Sequence, residues 1–113
     1  MEEFRVDTIG EARVIRFAGE ITMDNAQELK NRGRQVVEGQ GRAVVMDLSK
    51  VTFIDSSGIG FLIVLKSRCD EAGKRFALLS PSVQVRKTLR LVQLDAIFPV
   101  AANEGDLARI LSL

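Results

Sequence analysis

The sequence predicts a single α/β domain in which about four helices cover a mixed β-sheet, in the order ββαβαβαβα. The chain has 113 residues, of which 46% are apolar, and this fits one compact domain over residues 1–113. Short β-prone segments alternate with segments of helical periodicity, a pattern typical of parallel strands joined by helical crossovers. The first two β-prone segments have only a turn between them, so that pair should be antiparallel.

The first half of the chain begins with this hairpin. Residues 4–9 and 12–18 are β-prone, and the Gly10-Glu11 turn separates them. A first amphipathic helix follows from Asp24 onward, because apolar residues recur at helical spacing. The buried positions of this helix are predicted to be Ala26, Leu29, Gly33, Val36 and Val37, its possible caps are Thr22, Asp24 and Asn25, and its stop is Gly39-Gln40-Gly41.

The centre of the chain predicts a buried strand followed by a second helix. Residues 43–46 are continuously apolar, as in a central strand covered on both faces. The second helix is predicted over residues 57–72 with Ser57 as its cap, and Gly73 ends it. Its predicted buried side comprises Phe61, Leu62, Leu65, Cys69 and Ala72.

The last third predicts two more strands and two more helices. Residues 75–79 form a strand, and a weaker strand is predicted at 97–101. Between them Ser80 should cap a third helix with Pro81 at its first position, and Asn103 should cap a final helix. The predicted inward-facing residues are Val85, Leu89 and Val92 in the third helix, and Leu107, Ile110 and Leu111 in the last.

The segment Asp55-Ser56-Ser57-Gly58 lies at a predicted junction of strand and helix. Free backbone N–H groups and the positive end of the helix dipole make such a junction tolerant of an added anion. Functional groups of α/β sheets also collect at the carboxyl ends of strands. The sequence therefore places its candidate site at these four residues.

The chain resembles a STAS domain of the anti-sigma-factor antagonist type. The resemblance covers nearly all of the sequence, and its most specific part is the block at 47–58. The other matching segments are Gly19-Glu20-Ile21-Thr22, Ser80-Pro81-Ser82-Val83 and Leu94-Asp95-Ala96-Ile97-Phe98. One departure is Thr22, where relatives frequently have aspartate; Asp24 lies two residues later.

The resemblance implies a phosphorylation switch. In that family the first serine of the Asp-Ser-Ser-Gly run is phosphorylated by the partner anti-sigma factor, which is also a protein kinase, and a separate serine phosphatase reverses the reaction. The implied acceptor here is Ser56. A constitutive STAS scaffold, or a transporter-associated subunit that phosphorylation does not regulate, is the alternative implied by the same resemblance.

A docking surface for the partner is expected around Ser56. The residues predicted to form it are Glu20, Thr22, Asp24, Asp55, Ser57, Gly58, Ile59 and Ile63. Ile59, Ile63 and Val64 fall off the buried helical stripe, so each is a candidate either for an exposed apolar contact or for burial under neighbouring loops. Asp55 has three open roles: it caps the helix, orients the Ser56 hydroxyl or assists phosphate transfer. Asp47 is expected to hold the loop by hydrogen bonding.

Catalytic classes fit poorly. The chain has no histidine and one cysteine, which excludes a Ser-His-Asp hydrolase of the usual form, a Cys-His dyad and a zinc site. Gly58-Ile59-Gly60 matches neither a Walker loop nor a dinucleotide fingerprint. A receiver domain phosphorylated on Asp55 would need an acidic pair after its first strand, and residues 4–9 are not followed by one. We therefore expect no enzyme activity, no cofactor or metal, and no small-molecule substrate.

Charge and hydropathy limit the partners. The net charge of +1 favours neither nucleic acid nor an anionic membrane, and neither a leader nor a membrane span is evident, so a cytoplasmic location is expected. Cys69 is expected to be a buried thiol. The basic residues Arg86, Lys87 and Arg90 on the third helix are read as a solvated face in preference to a phosphate or acidic-partner site.

Overall fold

The computed structural model describes residues 3–113 and contains one five-stranded sheet. The predicted order ββαβαβαβα is confirmed. The elements are β1 (Glu3–Ile9), β2 (Ala12–Ile21), α1 (Ala26–Glu38), β3 (Ala43–Ile54), α2 (Ser56–Glu71), β4 (Arg75–Leu79), α3 (Val83–Leu91), β5 (Val100–Ala101) and α4 (Leu107–Leu111), with a 3-10 turn at Glu104–Asp106 before α4. Within this described range, no helix has both the length and the apolar character that crossing a membrane requires.

The strands lie side by side in chain order, β1-β2-β3-β4-β5. β1 is antiparallel to β2, and the other neighbours are parallel. Every crossover therefore steps in the same direction along the sheet. Because crossovers are right-handed, this order places α1, α2 and α3 on the same face.

The two apolar cores follow from that topology. The larger core joins α1, α2 and α3 to one face of the sheet, with Phe61, Met46 and Leu78 fully buried in it. The smaller core lies on the other face, where Leu107 and Leu111 of α4 cover it. The alternation of side chains along a strand divides the residues of β2 between the two cores.

Two residues predicted to be buried are exposed. Ala72 follows the last residue of α2, and Val92 follows the last residue of α3, so neither continues the helical stripe from which its burial was predicted. The other predicted stripe residues are buried, apart from Ile110, which is partly buried. The predicted stop at Gly73 is confirmed: this residue has φ +70°, and Lys74 N donates to Cys69 O at 2.8 Å.

The start of α3 and the extent of β5 differ from prediction. Ser80 is not a cap, because its N–H donates to Ala101 O at 2.8 Å and so prolongs the sheet. Ser82 caps α3 instead, and its hydroxyl accepts from Val85 N. β5 has two residues, and Ile97, predicted to be in the strand, is in a turn where its N–H donates to Leu94 O.

An ion cluster occupies the part of the sheet face beside α4. The Arg16 guanidinium contacts Asp7 at 2.6 Å, Asp47 at 2.8 Å and Glu104 at 3.0 Å, and thus connects three strands to the 3-10 turn. Its hydrogen bond lowers the pKa of the Asp7 carboxyl. This pairing therefore stabilises the fold above the ordinary aspartate pKa, and the contribution is lost as the pH falls through the lowered value.

Asp47 does not hold the Asp55 loop as predicted. Besides Arg16, its carboxylate accepts from Ser49 N at 2.9 Å, within β3. This contact lies at an irregularity, because β3 has an additional residue between the partners of Arg16 and Ala18. Asp47 thus stabilises a β-bulge.

Cys69 is fully buried in the larger core, and burial raises the pKa of its thiol to about 11. We expect the folded chain to react with a thiol reagent at pH 8 at least about a hundredfold more slowly than the chain unfolded in guanidinium, because the thiolate is scarce as well as inaccessible. Absorbance at 412 nm with dithionitrobenzoate measures both rates, and equal rates would contradict the burial of this thiol.

Candidate functional site

The carboxyl ends of β2 and β3 meet at one edge of the sheet, where Ile21 is paired with Ile54. β3 reaches this edge by extending beyond β4, which pairs only with residues 43–47. A second additional residue in β3 lies opposite the step from Gly19 to Glu20. Gly19 has φ +127°, a conformation that glycine adopts without strain. The Gly19-Glu20 segment, which is part of the family resemblance, thus bends the backbone near the end of β2, next to the site.

Asp55 connects the loops that follow the two strands. One carboxylate oxygen accepts from Gly58 N at 3.0 Å, and the other accepts from Met23 N at 3.2 Å. Its own N–H donates to Ile21 O at 3.2 Å. Of its three possible roles, the structure shows the first: Asp55 is the N-cap of α2. The prediction that Ser57 is the cap is wrong, because α2 begins one residue earlier, at Ser56, and Ser57 is already inside the helix.

Gly58 is where α2 approaches the sheet most tightly. A methyl group at this position would lie 2.5 Å from Ile54 Cγ1 and 2.7 Å from Ile21 O. Such distances exclude any side chain unless the backbone moves. Gly58 therefore lies beneath the site, in the packing between α2 and the ends of β2 and β3.

The loop from β2 to α1 is fixed by Asn25, which is buried. The Asn25 side-chain oxygen accepts from Thr22 N at 3.0 Å, and its amide nitrogen donates to Glu20 O at 2.8 Å. Thr22 in turn accepts from Asp24 N at 3.2 Å through its hydroxyl. The Thr22 hydroxyl thus serves as an acceptor within this loop, and Asp24 is exposed beside it.

Ser56 is exposed at the first position of α2. Gly60 and Ile63 follow four and seven residues later, so the three positions share one side of the helix. Ile63 is exposed as predicted, and nothing lies within 4 Å of where a Gly60 methyl would be. Beside Ser56 the helix therefore presents a shallow surface that ends in an apolar side chain.

Ile59 is buried, with 7% of its surface accessible, so of the two alternatives for this residue the structure shows burial and excludes a direct contact with a partner. It lies three residues before Leu62, so the buried side of α2 is wider than the stripe from which exposure was inferred. Val64 is half-buried, and Ser57 is half-buried in the first turn.

Sequence reasoning missed two apolar residues at this edge. Met23 is 76% exposed and its N–H is bound by Asp55, while Phe53 is 49% exposed and pairs with Glu20 across the strands. Met23 could have been found as an apolar residue within a capping turn. The outward orientation of Phe53 follows a bulge that the sequence does not reveal.

The site is an exposed surface and not an enclosed ligand pocket. Strand order is sequential throughout, so the sheet lacks the reversal that creates a ligand crevice in many α/β proteins. A cavity of about 360 Å³ lies instead at the amino-terminal end of the strands, next to Arg42 and Lys74. In residues 3–113 no group of three or more Cys, Asp or Glu side chains is placed to hold a metal ion. Exposed apolar residues beside a hydroxyl are suited to binding a protein.

Comparisons with known proteins agree with this geometry. The STAS domain family profile matches residues 3–107. An anti-sigma factor antagonist from Mycobacterium paratuberculosis is 25% identical, with a TM-score of 0.86 over 100% of this chain and 96% of the other. A STAS domain protein of this type from Planctomyces limnophilus is 22% identical, with a TM-score of 0.85 over 97% and 98% of the two chains.

The anti-sigma factor antagonist SpoIIAA has also been solved in two forms. The unphosphorylated form is 22% identical to this chain, with a TM-score of 0.79 over 98% of each chain. The phosphorylated form, from Bacillus, is 23% identical, with a TM-score of 0.71 over 96% of this chain and 99% of the other.

The close approach at Gly58 predicts opposite effects for two glycine substitutions in one helix. Gly58→Ala should lower the free energy of unfolding by roughly 1–3 kcal/mol, because the methyl group meets backbone and a buried side chain. Gly60→Ala, the matched control, should raise it by up to about 1 kcal/mol, since its position is open and alanine favours helix. Urea denaturation followed by circular dichroism measures both values. An unchanged Gly58→Ala variant would contradict the packing described.

The two bonds of Asp55 predict a local effect in the neighbouring loop. Asp55→Ala should lower the free energy of unfolding by about 1–2 kcal/mol through loss of the cap. It should also speed hydrogen exchange at the Met23 amide, which loses its acceptor. Asp55→Asn retains one acceptor oxygen and should show smaller changes in both. Exchange measured by NMR separates the effects, and an unchanged Met23 amide in Asp55→Ala would show that the bridge is absent in solution.

Proposed function

The chain belongs to the STAS domain family, and from this premise we propose that it is an anti-sigma-factor antagonist controlled by phosphorylation of Ser56. Unmodified, it binds an anti-sigma factor that is also a serine kinase, and the sigma factor is released. Phosphorylation of Ser56 ends this binding, and a serine phosphatase restores it. The protein acts by binding and not by catalysis, as a cytoplasmic regulator.

One observation carries the proposal: Ser56 is an exposed hydroxyl at a helix start, held among exposed apolar side chains. Asp55 fixes its position relative to Met23, and Ile63 lies two helical turns along the same side. A partner that covers the apolar side chains must also cover Ser56. The relatives that share the fold include antagonists, and one of them exists in unphosphorylated and phosphorylated forms.

A phosphate at Ser56 is compatible with the fold. Phosphoserine carries nearly two negative charges, and free N–H groups of the first helical turn and the helix dipole favour an anion there. Gly58 N is already bound by Asp55, so the phosphate would use the remaining donors and solvent. The modification should therefore leave the stability of the free chain nearly unchanged.

The same phosphate is costly in a complex. Burial of an unpaired charge costs about 3–5 kcal/mol, and each ~1.4 kcal/mol weakens binding tenfold. The partner surface over Ser56 must match Met23 and Ile63, and a bulky dianion disrupts apolar contact of this kind. The switch thus acts on the interface, and the partner's affinity is the quantity that changes.

The other predicted docking residues form two groups, one exposed and one buried or half-buried. Glu20 and Asp24 are exposed beside Ser56, and we propose that they contact the partner directly. Thr22, Asp55 and Gly58 act by holding the loops, through the contacts described above. Ser57 is half-buried, and Ile59 contributes by supporting Ile63 from the core.

The proposal is tested with the purified anti-sigma factor kinase encoded in the same genome. Titration calorimetry should show binding of wild type and Ser56→Ala, and a Kd at least roughly a hundredfold weaker for Ser56→Asp. Mass spectrometry after incubation with the kinase and ATP should find phosphate on Ser56 in the wild type and none on the Ser56→Ala variant.

Ser112→Asp is the matched control, because it adds the same charge at the amino-terminal end of the strands, where Ser112 is exposed. It should bind like the wild type. Tight binding by Ser56→Asp with an intact circular dichroism spectrum would favour the constitutive scaffold over the switch. An unmodified Ser56 in the wild type would falsify the kinase assignment.

A further inference from the structure

Helix α3 presents an unusual outer face. Two of its residues, Val85 and Leu89, are buried in the larger core. The opposite side exposes three basic residues, Arg86, Lys87 and Arg90, and it also exposes Val83 by 74% and Leu91 by 83%. An ordinary solvated face has polar residues where this helix has Val83 and Leu91. Solubility alone does not explain why basic and exposed apolar residues are combined on this face.

Within the described residues, no ion pair neutralises the positive charge on this face. The segment Val83–Leu91 contains no acidic residue. Within residues 3–113 no carboxylate forms a salt bridge with Arg86, Lys87 or Arg90, although Asp95 shares a groove with the two arginines. The only hydrogen bond of these three side chains in that range runs from Arg86 Nε to Pro81 O, at 3.3 Å. The three cations are available to an acidic partner.

The arrangement of charge and apolar surface favours a protein over a membrane. A membrane-surface helix separates an apolar face from a basic one. In α3 the separate apolar face already belongs to the core, and Val83, Lys87 and Leu91, spaced four residues apart, alternate along one exposed line. Such alternation suits a protein surface that has both carboxylates and apolar side chains.

The start of α3 is anchored to the strand that leads to the Ser56 site. Ser82, the cap of α3, donates from its hydroxyl to Val51 O at 2.7 Å and from its N–H to Leu48 O at 3.3 Å. These carbonyls belong to the part of β3 that extends beyond β4 towards Asp55. α3 thus begins along the free edge of β3, while the acidic loop with Glu20 and Asp24 lies on the β2 side. The site therefore has an acidic side and a basic side, with β3 between them.

We propose that the outer face of α3 is a second part of the docking surface, and that it binds an acidic, partly apolar surface of the same partner that covers Ser56. This inference rests on the proposed function, and it adds that the partner surface facing α3 is negatively charged. An acidic partner surface is attracted by Arg86, Lys87 and Arg90, whereas a phosphate on Ser56 disrupts the apolar contact beside it, so affinity and its loss arise in two parts of one interface.

Charge reversal tests the proposal. The triple variant Arg86→Glu, Lys87→Glu, Arg90→Glu should bind the purified anti-sigma factor kinase of the same genome at least about tenfold more weakly than wild type, with a shallower dependence of Kd on salt. The matched control reverses Arg34, Arg75 and Arg109, three exposed residues of other elements, and changes the net charge equally. It should bind within about threefold of wild type. Leu91→Ser tests the apolar part and should weaken binding roughly tenfold.

The possible outcomes distinguish the α3 docking surface from the Ser56 switch. If Ser56→Asp abolishes binding while the α3 triple variant binds like wild type, the α3 surface is overturned and the switch stands. If the triple variant and its control weaken binding equally, the effect is one of net charge, and the α3 surface is likewise overturned. If neither Ser56→Asp nor the triple variant changes the affinity, both proposals fail.

Two further checks complete the design. Circular dichroism must show that each variant is folded, and because Leu91 is exposed, Leu91→Ser supplies a readout even if the triple variant unfolds. Sedimentation with vesicles of phosphatidylserine and phosphatidylcholine measures the competing occupant. Co-sedimentation of wild type but not of the triple variant, together with unchanged kinase affinity, would assign α3 to the membrane and overturn a protein partner.

Discussion

The carboxyl ends of β2 and β3 are held together by one side chain, Asp55, and the rest of the site depends on that contact. Its carboxylate caps α2 through Gly58 N and also binds Met23 N in the neighbouring loop. Gly58 permits this geometry because α2 approaches Ile21 O too closely for a side chain. Ser56 is consequently displayed on a rigid joint between three elements, and its surroundings are set by packing and not by a mobile loop.

The sequential strand order explains why the candidate site lies on this edge. With α1, α2 and α3 on one face, the described sheet has no reversal of strand order, and α4 with the Arg16 cluster occupies the other face. The edge at the carboxyl end of β3 remains as a surface where exposed apolar side chains and helix starts coincide. A domain built this way is suited to binding another protein, because its site is a platform and not an enclosure.

Features that follow from local, periodic apolar spacing were predicted correctly from the sequence. Residues whose environment depends on where a helix or strand ends were not. The element order, the buried stripe of α1 and the stop at Gly73 follow from apolar spacing and one glycine. Ala72 and Val92 were misplaced because each lies just past a helix end. The cap of α2 was assigned to Ser57 because aspartate and serine are both good caps, and only the backbone decides between adjacent candidates. The exposure of Phe53 depends on a β-bulge in β3, and no residue pattern in the sequence predicts that bulge.

Under the proposed function, the rigid placement of Ser56 determines how a phosphate there acts. A flexible loop could reorient a phosphoserine towards solvent, and a partner would then still find an apolar surface to bind. At Ser56 the helix fixes the Cα–Cβ direction, and Asp55 holds the adjoining Met23 backbone in place. The charge therefore remains within the surface that a partner must cover, and the cost of its desolvation falls on the complex alone. Under the proposed function, this rigid placement makes a phosphate that the folded chain tolerates costly in the interface, and the proposed switch needs no change of fold.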